Sequence, residues 1–327
     1  MNKKAFSLTF IKEFFVFLLM IFLAICLLIN KEFAKSSYKA FSLFACTLLP
    51  SLFPYFVITA ILSKLNLTNA IASKLSPFSK KIFAVNGKVF FAFLISLLSG
   101  YPIGAKMVAS LKKNNLIDDK QSVIASVLCS TSSPMFLIST VGGVMFNNAF
   151  FGFLLYLSHA LSVIIYAFIF SLIKRDKEIY DNKPLLTNNE NLFYDAVFNS
   201  VLSILVVGGI IVIFYIITDV FAYYNLLLPF TTFLNKIFNS ESLANGIVFG
   251  IFECTKGLKH LASGGITLFT LPVATFMATF SGFSIIMQCV CHLKSEKIKI
   301  APFLFSKVLC AILSFFIGLI FSFIFLV

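Results

Sequence analysis

The sequence predicts an all-α polytopic membrane protein built from two inverted repeats with re-entrant hairpins. Three observations carry that expectation. The 327 residues are 59% hydrophobic and only 12% charged, with a mean hydropathy of +0.99. Apolar runs of about 18 to 25 residues recur, the length of helix that crosses about 30 Å of hydrocarbon. The two halves of the chain also match each other at an offset near 150 residues.

Apolar segments fall at about 14–30, 41–62, 89–111, 121–146, 149–173, 196–218, 244–261, 266–292 and 301–327. The first follows a basic start, "MNKK", as a signal peptide would. No small-x-small cleavage site follows it, and Ile25 before Cys26 is a poor fit to a lipoprotein signal. An uncleaved first span is therefore expected. Residues 1–38 hold that span and its flanks, 39–192 the first gate-like repeat and 193–327 the second.

If every segment crossed the bilayer, the basic loops Lys64–Lys88 and Lys174–Lys183 would lie on opposite sides. Lysine-rich loops prefer the cytoplasmic side. A re-entrant 89–111 segment puts both loops inside, together with Lys112, Lys113 and Lys120. Each arm would be about ten residues, about 15 Å of helix, which reaches the midplane. The turn would fall in "SGYPIGAK", at Gly100-Tyr101-Pro102. Proline removes a donor and disfavours helix in the residue before it, while glycine tolerates the turn. Irregular backbone at that depth survives only where protein or a water-filled cavity satisfies it. The alternative is an ordinary span, kinked or glycine-packed.

A shift of 150 lays "SGYPIGAKMVASL" (99–111) on "FGIFECTKGLKHL" without a gap. Gly100 meets Gly250, Lys106 meets Lys256, and Ser96, Gly100 and Gly104 meet Gly246, Gly250 and Cys254. Each copy is a small-xxx-small row suited to close helix approach. "STSSPMFLIST" (130–140) likewise matches "ATFSGFSIIMQ" (278–288), and "LSPFSKKIF" (75–83) resembles "LPFTTFLNKIF" (228–238). With both hairpins re-entrant, the first copy starts outside and the second inside. Inverted repeats with broken helices are the pattern of secondary transporters, whose substrate sits near the midplane between the halves.

Polar residues concentrate at the same places. Lys106, Glu253, Lys256 and Lys259 lie in or beside the two broken segments. An ionisable group at membrane depth is costly unless paired or hydrated, so it marks a pathway, although Lys106 and Lys259 could equally snorkel from helix ends. "CSTSSPMF" sets Ser132 and Ser133 ahead of Pro134, and "FSGFSIIMQ" places Ser281, Gly282, Ser284 and Gln288 at the equivalent depth. Hydroxyls, freed N–H groups and half-helix N-termini together make a site for an anion or polar ligand. Interhelical hydrogen bonding is the competing use of the same groups. Ser284 and Gln288, four apart, can share one helix face. Asp219 with Tyr223 and Tyr224 reads as an interfacial tyrosine belt.

Other function classes find little support. The net charge of +13 resides in lysines between apolar runs, so nucleic acid is not an expected partner. His159, His260 and His292 fall in separate segments, and no G-x-S-x-G, P-loop, G-x-G-x-x-G or H-E-x-x-H is present. His159 is expected to pack inside its helix pair and the other two near helix ends. The seven cysteines lie scattered without a C-x-x-C pair and read as small packing residues. No catalysis, cofactor or metal site is expected.

In combination, "LLPSLFPYFV", "SGYPIGAK", the S-S-P turn into "MFLISTVGG", Glu253-x-Thr255-x-Gly257 and "GFSIIMQ" resemble the YlbJ-type sporulation integral membrane proteins. The resemblance runs from about residue 40 to the C-terminus. It implies a nucleoside recognition, or gate, domain and a fold similar to concentrative nucleoside transporters. It further implies movement of dipicolinate, pyridine-2,6-dicarboxylate, from the mother cell across the outer forespore membrane. The family pattern has Asn and Gly where this chain has Ser132 and Ser133, Asn where it has Lys256, and Gly where it has Ser281. These changes bear on substrate more than on fold, and Lys256 would suit a dianion.

The substrate-binding residues expected are therefore Gly100, Pro102, Lys106, Ser132, Ser133 and Pro134 from the first half. Glu253, Thr255, Lys256, Ser281, Ser284 and Gln288 come from the second. The partners are a small-molecule anion and the lipid bilayer, with room for a coupling ion or proton and for a homo-oligomer. A cation-coupled nucleoside carrier, with Glu253 bonding a ribose, and a non-transporting gate or scaffold subunit stand as alternatives.

Overall fold

The computed structural model describes residues 3–65, 67–173 and 191–326; the side chains of 3–12, 15, 63, 64 and 67 are not described. The Lys174–Lys183 loop on which the topology argument leaned lies outside the described residues. All regular structure among the described residues is helical. An apolar chain in lipid has no water to satisfy its backbone, and a helix pairs every interior N–H and C=O within itself.

In chain order the helices are α1 (Lys3–Ile29) and α2 (Lys31–Leu43), which runs through a π-helical turn (Phe44–Leu48) into α3 (Leu49–Lys64). There follow α4 (Leu67–Phe83), α5 (Gly87–Ser99), α6 (Ile103–Lys113), α7 (Asp119–Leu128), a π-helix (Met135–Met145) and α8 (Ala149–Ile173). The second half has α9 (Leu192–Tyr223), α10 (Leu228–Phe238), α11 (Glu241–Phe252), α12 (Cys254–Ser263), α13 (Thr270–Phe280), α14 (Gly282–Ser295) and α15 (Ile300–Phe325). Both halves thus run in one order: a long helix, a short amphipathic helix, two helix–break–helix units and a closing long helix.

Among the described residues, five stretches are long and apolar enough to cross a membrane: Lys31–Leu62, Ala149–Ile173, Leu192–Tyr223, Thr270–Ser295 and Ile300–Phe325. Two apolar segments that hydropathy joins are divided in the structure. The segment read at 121–146 is split between Leu128 and Met135, and the segment at 266–292 is interrupted at Ser281. The first break contains Pro134, which lacks an N–H to continue the ladder. The second takes Ser281 and Gly282 through φ of +72° each, which ends a right-handed helix.

Outward faces of α1, α9 and α15 carry exposed apolar residues such as Phe17, Val206 and Phe323. Inside lie two main apolar cores. One joins α3, the π-helix, α8, α9 and α11–α13 around Phe56, Leu137 and Leu258. The other joins α5–α8, α14 and α15 around Val89, Leu128 and Phe303. Ile285 packs against both. The polar breaks lie along that seam.

Candidate functional site

Each half contributes a hairpin of two short helices. In the first, the chain reverses at Gly100-Tyr101-Pro102, the position expected from the sequence. Gly100 has φ +75°, and its N–H donates to the Ser96 carbonyl at 2.8 Å. The Tyr101–Pro102 peptide is cis, and Pro102 leads directly into α6. α5 and α6 fold back on each other closely enough that a Cβ on Gly104 would lie 2.4 Å from Ser96 Oγ.

In the second hairpin, a Cβ on Gly257 of α12 would lie 2.4 Å from Gly250 Cα of α11, and one on Gly246 would meet Leu261 at 2.5 Å. Those pairings are antiparallel about Glu253. Glu253 is extended there, at φ −139° and ψ 109°, and caps α12 by accepting from the Lys256 N–H at 2.6 Å. The small-residue rows seen in the sequence are thus the faces on which each hairpin closes.

Both tips rest on an interrupted helix. A Cβ on Gly100 would stand 2.6 Å from the Ser133 nitrogen, in the break that follows α7. A Cβ on Gly282, at the α13–α14 break, would stand 2.8 Å from the Gly250 carbonyl oxygen and 3.0 Å from the Cys254 nitrogen. Glycine is required where backbone meets backbone at these distances.

Between the tips and breaks is a cavity of about 40 Å³ whose polar lining is Ser99, Tyr101, Ser132, Ser133, Thr255 and Gln288. Leu48, Phe136, Val207 and Ile285 are among its apolar walls. At roughly 10–15 Å³ per water it has room for a few waters and not for an organic solute, so this conformation is closed.

Of the residues expected at the site, Ser132, Ser133, Thr255 and Gln288 line the cavity. Ser133 Oγ accepts from the Phe136 N–H at 3.2 Å and so opens the π-helix, with Pro134 between them. Glu253 is fully buried; Oε2 caps α12, while Oε1 has no hydrogen-bond partner among the described residues, although Thr255 lies beside the carboxylate. Ser284 Oγ and Gln288 Nε2 are buried in the same unpaired condition. A buried polar atom without a partner costs about 1–3 kcal/mol, and three such atoms fall on α14 and at the Glu253 tip. The Ser281 hydroxyl donates to the Phe280 carbonyl at 2.5 Å and lies beside the hydroxyl of Tyr101, a residue of the cavity wall.

The lysines part company. Lys256 is buried, ion-paired to Asp219 of α9, and its ammonium lies 4.5 Å and 4.7 Å from the ring centres of Tyr215 and Phe249. Lys106 is half-buried and its Nζ donates to Ser203 Oγ of α9 at 3.0 Å, away from the cavity lining. Lys259 is exposed. Asp219 is therefore more than the start of a tyrosine belt. The belt residues Tyr223 and Tyr224 are about half exposed, whereas the Asp219 carboxylate turns inward to Lys256. The signal was present in the sequence: a lysine in one apolar run requires an acid in another.

Sequence reasoning missed the cavity-lining Ser99 and Tyr101, and beside them His159 and Lys307. His159, fully buried on α8, does more than pack within a helix pair: Nε2 accepts from the Ser132 N–H at 2.8 Å and Nδ1 lies 2.9 Å from Thr279 Oγ1. With Nε2 accepting, Nδ1 carries the proton and donates to Thr279. One neutral imidazole ties the first break to the end of α13. Lys307 lies within the apolar run of α15, and its isolation in that run was the available signal.

These features define a class: a polytopic helical membrane protein in which two hairpin tips and two interrupted helices close over a small polar cavity. Residues 45–149 match the family model described as Gate, nucleoside recognition. The chain is similar to the sporulation integral membrane protein YlbJ of Bacillus subtilis (strain 168), with 26% identity over 305 residues covering 84% of this chain and 74% of that protein. The family resemblance read from the motifs is thus found again by direct comparison, and the chain is an integral membrane protein. No solved structure matches it.

Proposed function

We propose that the chain is a secondary transporter, without enzymatic activity or cofactor, that moves dipicolinate across the outer forespore membrane during sporulation. The observation that carries transport is the closed polar cavity: its walls are separate hairpins and half-helices whose tips touch through glycines, so the parts can separate to admit a solute. In this reading the two halves are inverted repeats, both hairpins are re-entrant, and a coupling ion or proton and a homo-oligomer complete the machinery. Sporulation enters through the Bacillus subtilis relative, whose name states it. A dicarboxylate suits the N-terminal end of the π-helix, where the positive end of a helix dipole lies and the preceding Ser133 lines the cavity.

One observation favours a second reading. Glu253 Oε1 and Gln288 Nε2 offer a buried acceptor and donor to an uncharged solute, as a nucleoside carrier would. Uptake of labelled dipicolinate and labelled uridine into proteoliposomes decides between them. Saturable dipicolinate uptake, reduced at least tenfold in Gln288→Ala at equal protein abundance, supports the first. Uridine uptake abolished by Glu253→Gln moves the assignment to the second, and no uptake of either by folded protein leaves a gate or scaffold subunit.

A further inference from the structure

Lys307, the eighth residue of the membrane-length helix α15, is 3% exposed, and no carboxylate pairs with it among the described residues. Its ammonium lies 2.5 Å from the Tyr101 hydroxyl, 3.0 Å from the Thr279 carbonyl oxygen, 3.5 Å from the Ser130 carbonyl oxygen and 4.0 Å from the Tyr101 ring centre. The Tyr101 hydroxyl is itself 3.0 Å from the Ser130 carbonyl and 3.4 Å from that of Thr279. Lysine and tyrosine thus share the same two acceptors.

Those two carbonyls are freed by the breaks themselves. A helix continuing through Ser130 would pair its carbonyl with the N–H of residue 134, which is a proline and has none. Thr279 precedes the left-handed turn at Ser281, so its carbonyl belongs to the unpaired last turn of α13. Each helix C-terminus carries about half a negative charge. Two such ends, a hydroxyl oxygen and a π face converge on one point, the arrangement by which unwound carbonyls coordinate a monovalent cation in membrane transport proteins.

We infer that Lys307 is a tethered cation occupying a monovalent-cation site built from the carbonyl ends of the two interrupted helices, which holds the closed state together without a bound metal ion. The titratable groups around the ammonium are Tyr101, His159, Cys254, Cys289 and Cys310, none of them an acid that would supply a full counter-charge. A second observation supports a built site. At the 148-residue offset that lays Ser130 on Ala278, His159 falls on Lys307. Both occupy the closing long helix of their half, and both bridge the two breaks: His159 through the Ser132 N–H and the Thr279 hydroxyl, Lys307 through carbonyls. A small cavity of about 10 Å³ adjoins the ammonium, bounded by Ser130, Thr279 and Ser306, and Ser130 Oγ there has no partner among the described residues.

The test is the unfolding temperature of the purified full chain in detergent with sodium, potassium, methylammonium or choline chloride at constant ionic strength. Wild type should be indifferent to the salt. Lys307→Ala should unfold several degrees lower and regain stability saturably with methylammonium or sodium, but not with bulky choline. Lys307→Met, which fills the space without charge, should be destabilised and stay so in every salt. A Met variant as stable as wild type, or an Ala variant responding alike to all four salts, overturns the inference. If neither variant folds, wild type decides: indifference to sodium supports the tethered cation, and saturable stabilisation by sodium overturns it. Because unfolding is the readout, a failure of the transport assignment would leave this result standing.

Discussion

Gly100 combines φ +75° with ψ −166°, a region essentially closed to other residues, and sits within 2.6 Å of Ser133 for any Cβ. Gly100→Ala should therefore lower the unfolding free energy by about 2 kcal/mol or more, through strain and through separation of the tip from the break. Gly209, on the outer face of α9 with nothing within 4 Å of its would-be Cβ, is the control: Gly209→Ala should raise stability by about 0.5–1 kcal/mol, the gain of alanine over glycine inside a helix. Thermal unfolding of both variants in detergent checks the pair, and equal midpoints would mean that the first tip is not seated on Ser133. Gly100 and Pro102 were legible because their backbone chemistry is local. The partners of charged residues were not: the repeat equates Lys106 with Lys256, yet one meets Ser203 and the other Asp219. Both lysines reach α9, and the partner of each is set by which residue of that helix lies at its level, Ser203 for one and Asp219 for the other.

At the scale of elements, hydropathy located the long apolar segments, and the hydroxyl clusters ahead of Pro134 and at Ser281, not hydropathy, marked where they are interrupted. Residues 121–146 sum to an unbroken apolar run, and such a sum does not register that Pro134 withholds a donor or that Ser132 hands its N–H to His159. The joints between short helices depend on charge instead. The last turn of α6 is tied to the first of α7 by Lys112 Nζ and Asp119 Oδ1 at 2.7 Å. The side-chain contact with Lys112 and its charge hold the exposed Asp119 carboxyl below the usual carboxylate range. A depressed carboxylate stabilises the fold above its unfolded pKa and loses that contribution as pH falls through the lowered value. Wild type should accordingly unfold slightly above Asp119→Asn at neutral pH, and the two curves should converge in acid. Because the pair is exposed, the gap should also close at high salt. Unfolding midpoints across pH at two ionic strengths measure both effects, and a gap that widens in acid would refute the assignment of that joint.

For the whole molecule, two apolar cores meet along a seam of glycines, freed carbonyls and hydroxyls, with His159 and Lys307 bridging it by polar contacts. Apolar cores repack at high cost, whereas a seam of short polar contacts around a small cavity can exchange those contacts for water or solute. Motion should then be confined to the seam, and native cysteines report on it. Cys46 and Cys291 are exposed, while the other five are buried. Cys254 immediately follows Glu253 at the second tip, is 1% exposed, and its Sγ donates to the Met277 carbonyl at 3.4 Å. Lifting that tip from Gly282 would uncover Cys254 while leaving Cys26, packed among α1, α2 and α9, in place. In a Cys46→Ser, Cys291→Ser background, N-ethylmaleimide should alkylate Cys254 well ahead of Cys26, at a rate far above global unfolding. Mass spectrometry of peptides after timed labelling in proteoliposomes resolves the order. If all five thiols react together at the unfolding rate, the seam does not open independently, and the closed cavity is a structural void and not one state of a carrier.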